Sequence, residues 1–401
     1  MESFPSFDYR NSFRPGGGIV VLKGLRQTIQ NVQPYVAGLT TEEVQRRFGL
    51  ERVLKLGSNE NNYAPFPSVI KAMQEELPRV HMYPDLAFKE LKESLGALYG
   101  LRSENIALSH GAEGALQTLG KMFLDPGDEV VIPRITYGLY REISRVMGAS
   151  IVQVPQESDF RTSLGALKKT LTSKTKLLWL ANPNNPTGSA MNPEEFEELF
   201  RILPEKALVV LDEAYGEFAD PERLPPTAAY IRAGYPLVGV RTFSKAYGLA
   251  GVRLGYLLGD PGVVEAFDVV SEPFNANRVA LAGARAVLRE GRPEMEAARR
   301  RILEDRDRME RELTALGCEV FPSQTNFVFC RIPWEGDRFA QHLLRRGVIV
   351  RPCGIWGLQD MLRITVGTDE EVTLFLRIFR DLFEESSRRG LEEIEEVDVM
   401  L

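Results

Sequence analysis

The chain has 401 residues, with 49 Lys and Arg against 56 Asp and Glu, a formal charge of −7 and 44% hydrophobic residues. That length buries a large core without staples and suggests two or three domains, while the acidic balance disfavours broad nucleic-acid binding. Cys318, Cys330 and Cys353 lack CxxC spacing, and His81, His110 and His342 offer no i,i+3 or i,i+4 pair, which argues against a disulfide framework or a metal centre.

The segment up to about residue 25 is polar and aromatic with a glycine triplet at 16–18, and reads as a flexible arm. It holds no apolar core of signal-peptide type, and no run of eighteen apolar residues occurs in the chain, so the expected location is the cytoplasm. From residue 106, short apolar runs alternate with amphipathic stretches. Strands are predicted at 106–109, 129–133, 150–155, 176–181, 207–212, 237–243 and 254–259, and helices at 86–100, 112–124, 138–147, 193–202 and 261–271. Several of the strands are apolar on both faces, which predicts an α/β fold with a mostly parallel central sheet flanked by helices. A charged helical stretch over 278–316 follows. The strands FVFCRI, VIVRP and LRITVG, with a helix between 336 and 346, then change the rhythm to a smaller α+β domain. From about Glu384 the chain is dense in charge and reads as a frayed helix or an acidic tail.

In an open α/β sheet, ligands gather beyond the carboxyl ends of the strands. The run 207–212 ends in Asp212 with Tyr215 close behind, the run 176–181 leads into Asn182-Pro183-Asn184-Asn185-Pro186-Thr187-Gly188, and the run 237–243 leads into Ser244-Lys245. Taken singly, these are a helix cap, an Asn/Pro/Gly turn and a solvated lysine. Together they put a carboxylate, an amide-rich turn and an amine on one rim. A lysine there can carry an aldehyde cofactor as a Schiff base, and a buried Asp can keep a pyridine nitrogen protonated. Thr242, Ser244 and Arg253 offer hydroxyls and a cation for a phosphate, and the helix opening at SHGAEGALQTL offers backbone N–H groups near Gly111, Ala112 and Glu113.

The ordered stretches QPYVAG, KLGSNEN, YPD, DPGDEVVIP, TYGLY, NPNNPTG, VVLDEAY, RTFSKAYGLAGVRLGY, EPFNANR, PSQTNFV and LRITVGT resemble the fold-type I pyridoxal-phosphate aminotransferases, and within them the histidinol-phosphate aminotransferase family. The similarity runs over roughly residues 25 to 385. It implies pyridoxal 5'-phosphate as cofactor, held by Lys245 as a Schiff base, with Asp212 at the pyridine nitrogen and Tyr215 and Asn185 at the phenolic oxygen. Tyr137 would stack on the ring. Ala112, Glu113, Thr242, Ser244 and Arg253 would hold the phosphate, with Tyr83 reaching in from a second copy of the chain. Arg363 and Arg351 would grip the anionic substrate, and Tyr35 would reach it from the partner's arm. A homodimer with shared sites follows from the same resemblance, as does transamination between L-histidinol phosphate and 2-oxoglutarate in histidine biosynthesis. The domains expected are an arm over 1–25, a discontinuous small domain over 26–62 and 285–385, a large cofactor-binding domain over 63–284 and an acidic tail over 386–401.

The chain departs from the family pattern at Asn62 and Ala64 within NENNYAPFP, and at Glu113-Gly114 within GAEG. Alternatives are an aromatic or broad-specificity amino-acid aminotransferase, using Arg363 and Tyr137, and a threonine-phosphate decarboxylase on the same scaffold.

Overall fold

The computed structural model describes residues 24–29, 32 and 38–394. The expected amino-terminal arm falls almost wholly outside these residues, as do 395–401.

The strands are β1 (Leu54–Lys55), β2 (Ile106–Ser109), β3 (Glu129–Pro133), β4 (Ser150–Val154), β5 (Thr175–Ala181), β6 (Leu208–Asp212), β7 (Leu237–Thr242), β8 (Gly255–Leu258), β9 (Glu319–Phe321), β10 (Phe327–Arg331), β11 (Val348–Ile349), β12 (Arg351–Pro352) and β13 (Met361–Thr365). Seven of them form the main sheet in the order β2-β8-β7-β6-β5-β3-β4. Only β8 runs against its neighbours; every other pair in that sheet is parallel. Side chains alternate between two buried faces. Val130, Ile132, Trp179 and Val210 pack with Leu116 and Leu119 of the helix Gly111–Phe123. Val131, Leu178 and Val209 pack with Phe196 and Leu199 of the helix Pro193–Ile202. Burial on both faces explains why these strands lack a polar alternation.

A second, antiparallel sheet has the order β12-β13-β10-β9. VIVRP, read in sequence as one strand, serves two sheets. Val348–Ile349 pair in parallel with β1, whereas Arg351 and Pro352 pair with Arg363 and Leu362 of β13. The helical stretch over 278–316 is likewise two helices, Arg278–Leu288 and Arg292–Ala315. Arg289 leaves helical geometry at φ −110 and ψ −92, and Gly291 and Pro293 restart the chain, proline being tolerated in a first turn where its missing N–H is not needed.

The chain beyond Glu384 is not frayed at its start. A helix spans Asp369–Arg389, opened by a reciprocal cap between Thr368 and Glu371, and it drives Val372, Phe375, Phe379 and Phe383 into the core. Leu391 and Ile394 are buried beyond it. The charges up to Arg389 belong to the solvated face of this amphipathic helix. Among the described residues no helix is long and apolar enough to cross a membrane.

Candidate active site

β5, β6 and β7 lie side by side in parallel, with Ala181 paired to Asp212 and Asp212 to Val240, so the three segments that follow them open on one rim. The Asn182–Gly188 turn is held by its own side chains. Asn182 Oδ1 accepts from Met191 N at 2.7 Å, and Asn184 Nδ2 donates to Ile135 O and Thr187 Oγ1, both at 2.9 Å. Gly188, at φ +75, backs onto Ser323 so closely that a Cβ would sit 2.5 Å from the Ser323 hydroxyl. Asparagine and glycine are required here by contact as well as by turn preference.

Beside β7 the chain builds a small polar cradle. The Thr242 hydroxyl donates to Ser244 Oγ at 2.9 Å, and Ser244 N donates to Thr242 Oγ1 at 3.1 Å. The helix Gly111–Phe123 starts against β8: a Cβ on Gly255 would lie 2.5 Å from the Ala112 nitrogen. His110, its N-cap residue, makes no side-chain cap, so the first-turn N–H groups of Ala112 and Glu113 are not taken by a capping side chain, as at an anion-binding helix start. Arg253 bends in at φ 59, its Nη1 donating to Ala250 O at 3.0 Å, and a Cβ on Gly111 would stand 2.9 Å from its Nη2. Glu113 lies 3.9 Å from Arg253 across the same opening. Two hydroxyls, a guanidinium and a helix start converge, a donor set that suits a phosphate.

Lys245 Nζ donates to Ser58 O at 3.1 Å and lies 5.8 Å from the centre of the Tyr215 ring. Burial and then the charge of Arg363 push its amine down to about 8, with Glu60 opposing and Arg253 adding to the effect. Asp212 is pushed up to about 6, chiefly by burial, while the hydrogen bonds it accepts from the Tyr140 hydroxyl (2.7 Å) and Ala214 N (3.0 Å) hold it down. Tyr140 is sandwiched: its ring stacks on Trp179 at 5.7 Å and meets Tyr137 edge-on at 5.7 Å. A buried carboxylate with only neutral donors is poised to pair with a cationic ring nitrogen, and a buried amine near 8 is poised to react with an aldehyde. The residues present therefore fit pyridoxal phosphate.

The second sheet supplies two buried arginines. Arg351 and Arg363 stand directly opposite each other on β12 and β13, 8% and 5% exposed. Arg363 Nη1 donates to Asn185 Oδ1 and Nη2 to Gly57 O, each at 2.6 Å, and its guanidinium lies 5.4 Å from the Phe327 ring. Among the described residues the Arg351 guanidinium has no hydrogen bond or ion pair.

Tyr35 lies outside the described residues. Tyr83 is not in the cradle of its own chain; its ring is 78% exposed and stacks on Phe274 at 4.5 Å. Tyr140, Asn59 and Thr365 enter the site without having been singled out in sequence. Of the departures, Asn62 donates to Glu371 at 2.9 Å, and Ala64 sits where a Cβ on Gly248, three residues after Lys245, would come within 2.2 Å.

Residues 51–379 match the family model described as aminotransferase class I and II. The chain belongs to that family. The histidinol-phosphate aminotransferase of Moorella thermoacetica is 37% identical over 358 residues, covering 89% of this chain and 92% of that one. The histidinol-phosphate aminotransferase of an Anaeromyxobacter species is 39% identical over 345 residues, covering 86% and 94%. A crystal structure of the Sinorhizobium meliloti histidinol-phosphate aminotransferase with pyridoxal-5'-phosphate aligns with TM-score 0.83 at 30% identity, over 91% of this chain and 99% of that one. Aspartate aminotransferase from Thermus thermophilus with maleate aligns with TM-score 0.77 at 25% identity, over 90% and 100%. This aminotransferase is thus a fold-type I enzyme that works with pyridoxal phosphate.

Proposed function

We propose that this aminotransferase exchanges an amino group between L-histidinol phosphate and 2-oxoglutarate, the transamination of histidine biosynthesis, as a cytoplasmic homodimer. The observation that carries the substrate is the buried pair Arg351 and Arg363, side by side across two strands with no counter-charge on Arg351 among the described residues. Like charges facing each other in an antiparallel pair repel, and burial sharpens the cost. Such a pair suits a ligand with more than one negative charge, a phosphate dianion in one half-reaction and the two carboxylates of glutamate in the other. Relatives 37% and 39% identical bear the name of this activity.

When bound, pyridoxal phosphate supplies an aldehyde for the amine and a ring that draws electrons from the substrate's α-carbon. Thr242, Ser244, Arg253 and the N–H groups of Ala112 and Glu113 hold its phosphate. Asp212 would keep a negative charge at the ring nitrogen, Tyr137 would stack on the ring, and Tyr215 and Asn185 would donate to the phenolic oxygen. Lys245, with an amine near 8, accepts and returns the α-carbon proton. Arg363 and Arg351 fix the substrate's anionic end.

The dimer rests on an exposed apolar stretch, Leu77, Val80, Met82, Tyr83 and Leu86. Arg278 braces it, donating to Tyr83 O at 3.1 Å and to Glu76 at 2.6 Å. This stretch would carry Tyr83 to the partner's cradle, and Tyr35 would reach the partner's substrate.

The test is donor choice. Enzyme loaded with pyridoxal phosphate and given 2-oxoglutarate forms glutamate fastest with L-histidinol phosphate. Faster turnover of phenylalanine makes it an aromatic aminotransferase, and carbon dioxide release from threonine phosphate makes it a decarboxylase.

A further inference from the structure

The segment Gly57–Asn61 threads the site between the two sheets, and nearly every residue in it is grasped there. Gly57 O accepts from Arg363, Ser58 O from Lys245, Asn59 O from Asn326 at 3.1 Å, and Asn61 Nδ2 donates to Ala246 O at 2.9 Å. Asn59 is its centre. It is buried, sits at φ 55 in the left-handed region, and donates from Nδ2 to the Tyr215 hydroxyl oxygen at 2.9 Å.

The direction of that bond is determined. Asn59 N donates to Thr365 Oγ1 at 2.9 Å, so the Thr365 hydrogen is free to go to Asn59 Oδ1, 3.0 Å away. With Oδ1 on a donor, the amide NH2 must face Tyr215. The Tyr215 oxygen then accepts from Asn59, and its own hydrogen cannot point back at the amide. We propose that Asn59, oriented by Thr365, is a positioning residue that aims the Tyr215 hydroxyl proton at the cofactor's phenolic oxygen. The inference rests on the role given to Tyr215 above.

The arrangement has a counterpart on the same strand. Arg363 and Thr365 are two residues apart on β13 and share a face. Arg363 occupies Asn185 Oδ1 and so turns the Asn185 NH2 toward the cofactor, as Thr365 does for Tyr215 through Asn59. One strand thereby sets the polarity of both donors to one oxygen. Stronger donation there favours the deprotonated form of the neighbouring Schiff-base nitrogen, which lowers the pH midpoint of the loaded enzyme's visible absorption.

The experiment is a spectrophotometric pH titration of loaded enzyme with Asn59→Gly, Tyr215→Phe and the double variant. Glycine keeps the left-handed backbone and removes only the amide. The expected result is an upward midpoint shift of about half to one pH unit for Asn59→Gly, and a double variant that matches Tyr215→Phe alone. An unchanged midpoint for Asn59→Gly, or a double variant whose shifts add, overturns the proposal. Tyr215→Phe without any shift removes the Tyr215 assignment itself, and the proposal with it. Should Asn59→Gly fail to fold, Thr365→Val leaves Asn59 in place; it raises the midpoint by a smaller amount and Thr365→Ser returns it to the starting value. No movement with Thr365→Val contradicts the orienting role.

Discussion

Arg363 Nη1 donates to Asn185 Oδ1 at 2.6 Å, so the guanidinium on β13 is joined directly to the turn beyond β5. Both groups are buried, and the bond is charge-assisted. Asn185→Ala takes away an acceptor from a buried cation as well as the donor proposed for the cofactor's phenolic oxygen. The expected outcome is a stability loss of about 1–3 kcal/mol, read by urea denaturation, together with a lower kcat. A fall in KM alone, with full stability, would be inconsistent with the link.

Lys245 carries a pH signature in the cofactor-free protein. Its amine is pushed down to about 8 in the folded chain, from an ordinary lysine value of 10.5. Below pH 8 the lysine is charged in both states, and its burial penalty is fully present; the penalty fades as the pH rises from about 8 to 10.5, because there the unfolded chain holds the proton and the folded one does not. Lys245→Met removes the charge. The cofactor-free variant should be more stable than the parent at pH 7, on the order of 2–3 kcal/mol, with the gap closing toward pH 10. Thermal melts across that range check it, and a gap that widens with pH contradicts the assignment.

Arg351 should discriminate between donors. Arg351→Ala removes one cation from a phosphate but none that a monocarboxylate requires. The expected loss in kcat/KM is about 10- to 100-fold for histidinol phosphate, and only slight for phenylalanine. Equal losses for the two would take the phosphate role away from Arg351.

The apolar stretch bearing Tyr83 should hold two chains together. Val80→Asp with Met82→Asp places charge on side chains that are 60% and 46% exposed in a single chain, so folding is spared. Sedimentation should show the parent as a dimer and the variant as a monomer with little activity. A parent that sediments as a monomer rules out a site shared between chains.

The main sheet was legible almost to the residue, because its strands are short apolar runs ended by polar turns, and burial on both faces leaves no competing period. Asp212, Lys245 and the Asn182–Gly188 turn were legible for the same reason: each lies at or just beyond the end of such a run. Asn59 was not, although it lies in a matching stretch. Its neighbours have no period, and its role arises from Thr365, 306 residues away. Tyr140 was hidden differently. Its ring reads as core, being stacked on Trp179, and only its hydroxyl reaches the site, at Asp212. The long carboxyl-terminal helix was obscured by the charge on its outer face.

The proposed function has a buried arginine pair read a doubly charged phosphate. The most direct measurement is the ratio of kcat/KM for L-histidinol phosphate to that for L-histidinol, which differs only by the phosphate. Loss of the group leaves the buried Arg351 guanidinium without a counter-charge, so the ratio is expected to exceed about 10³. A ratio near one would contradict it.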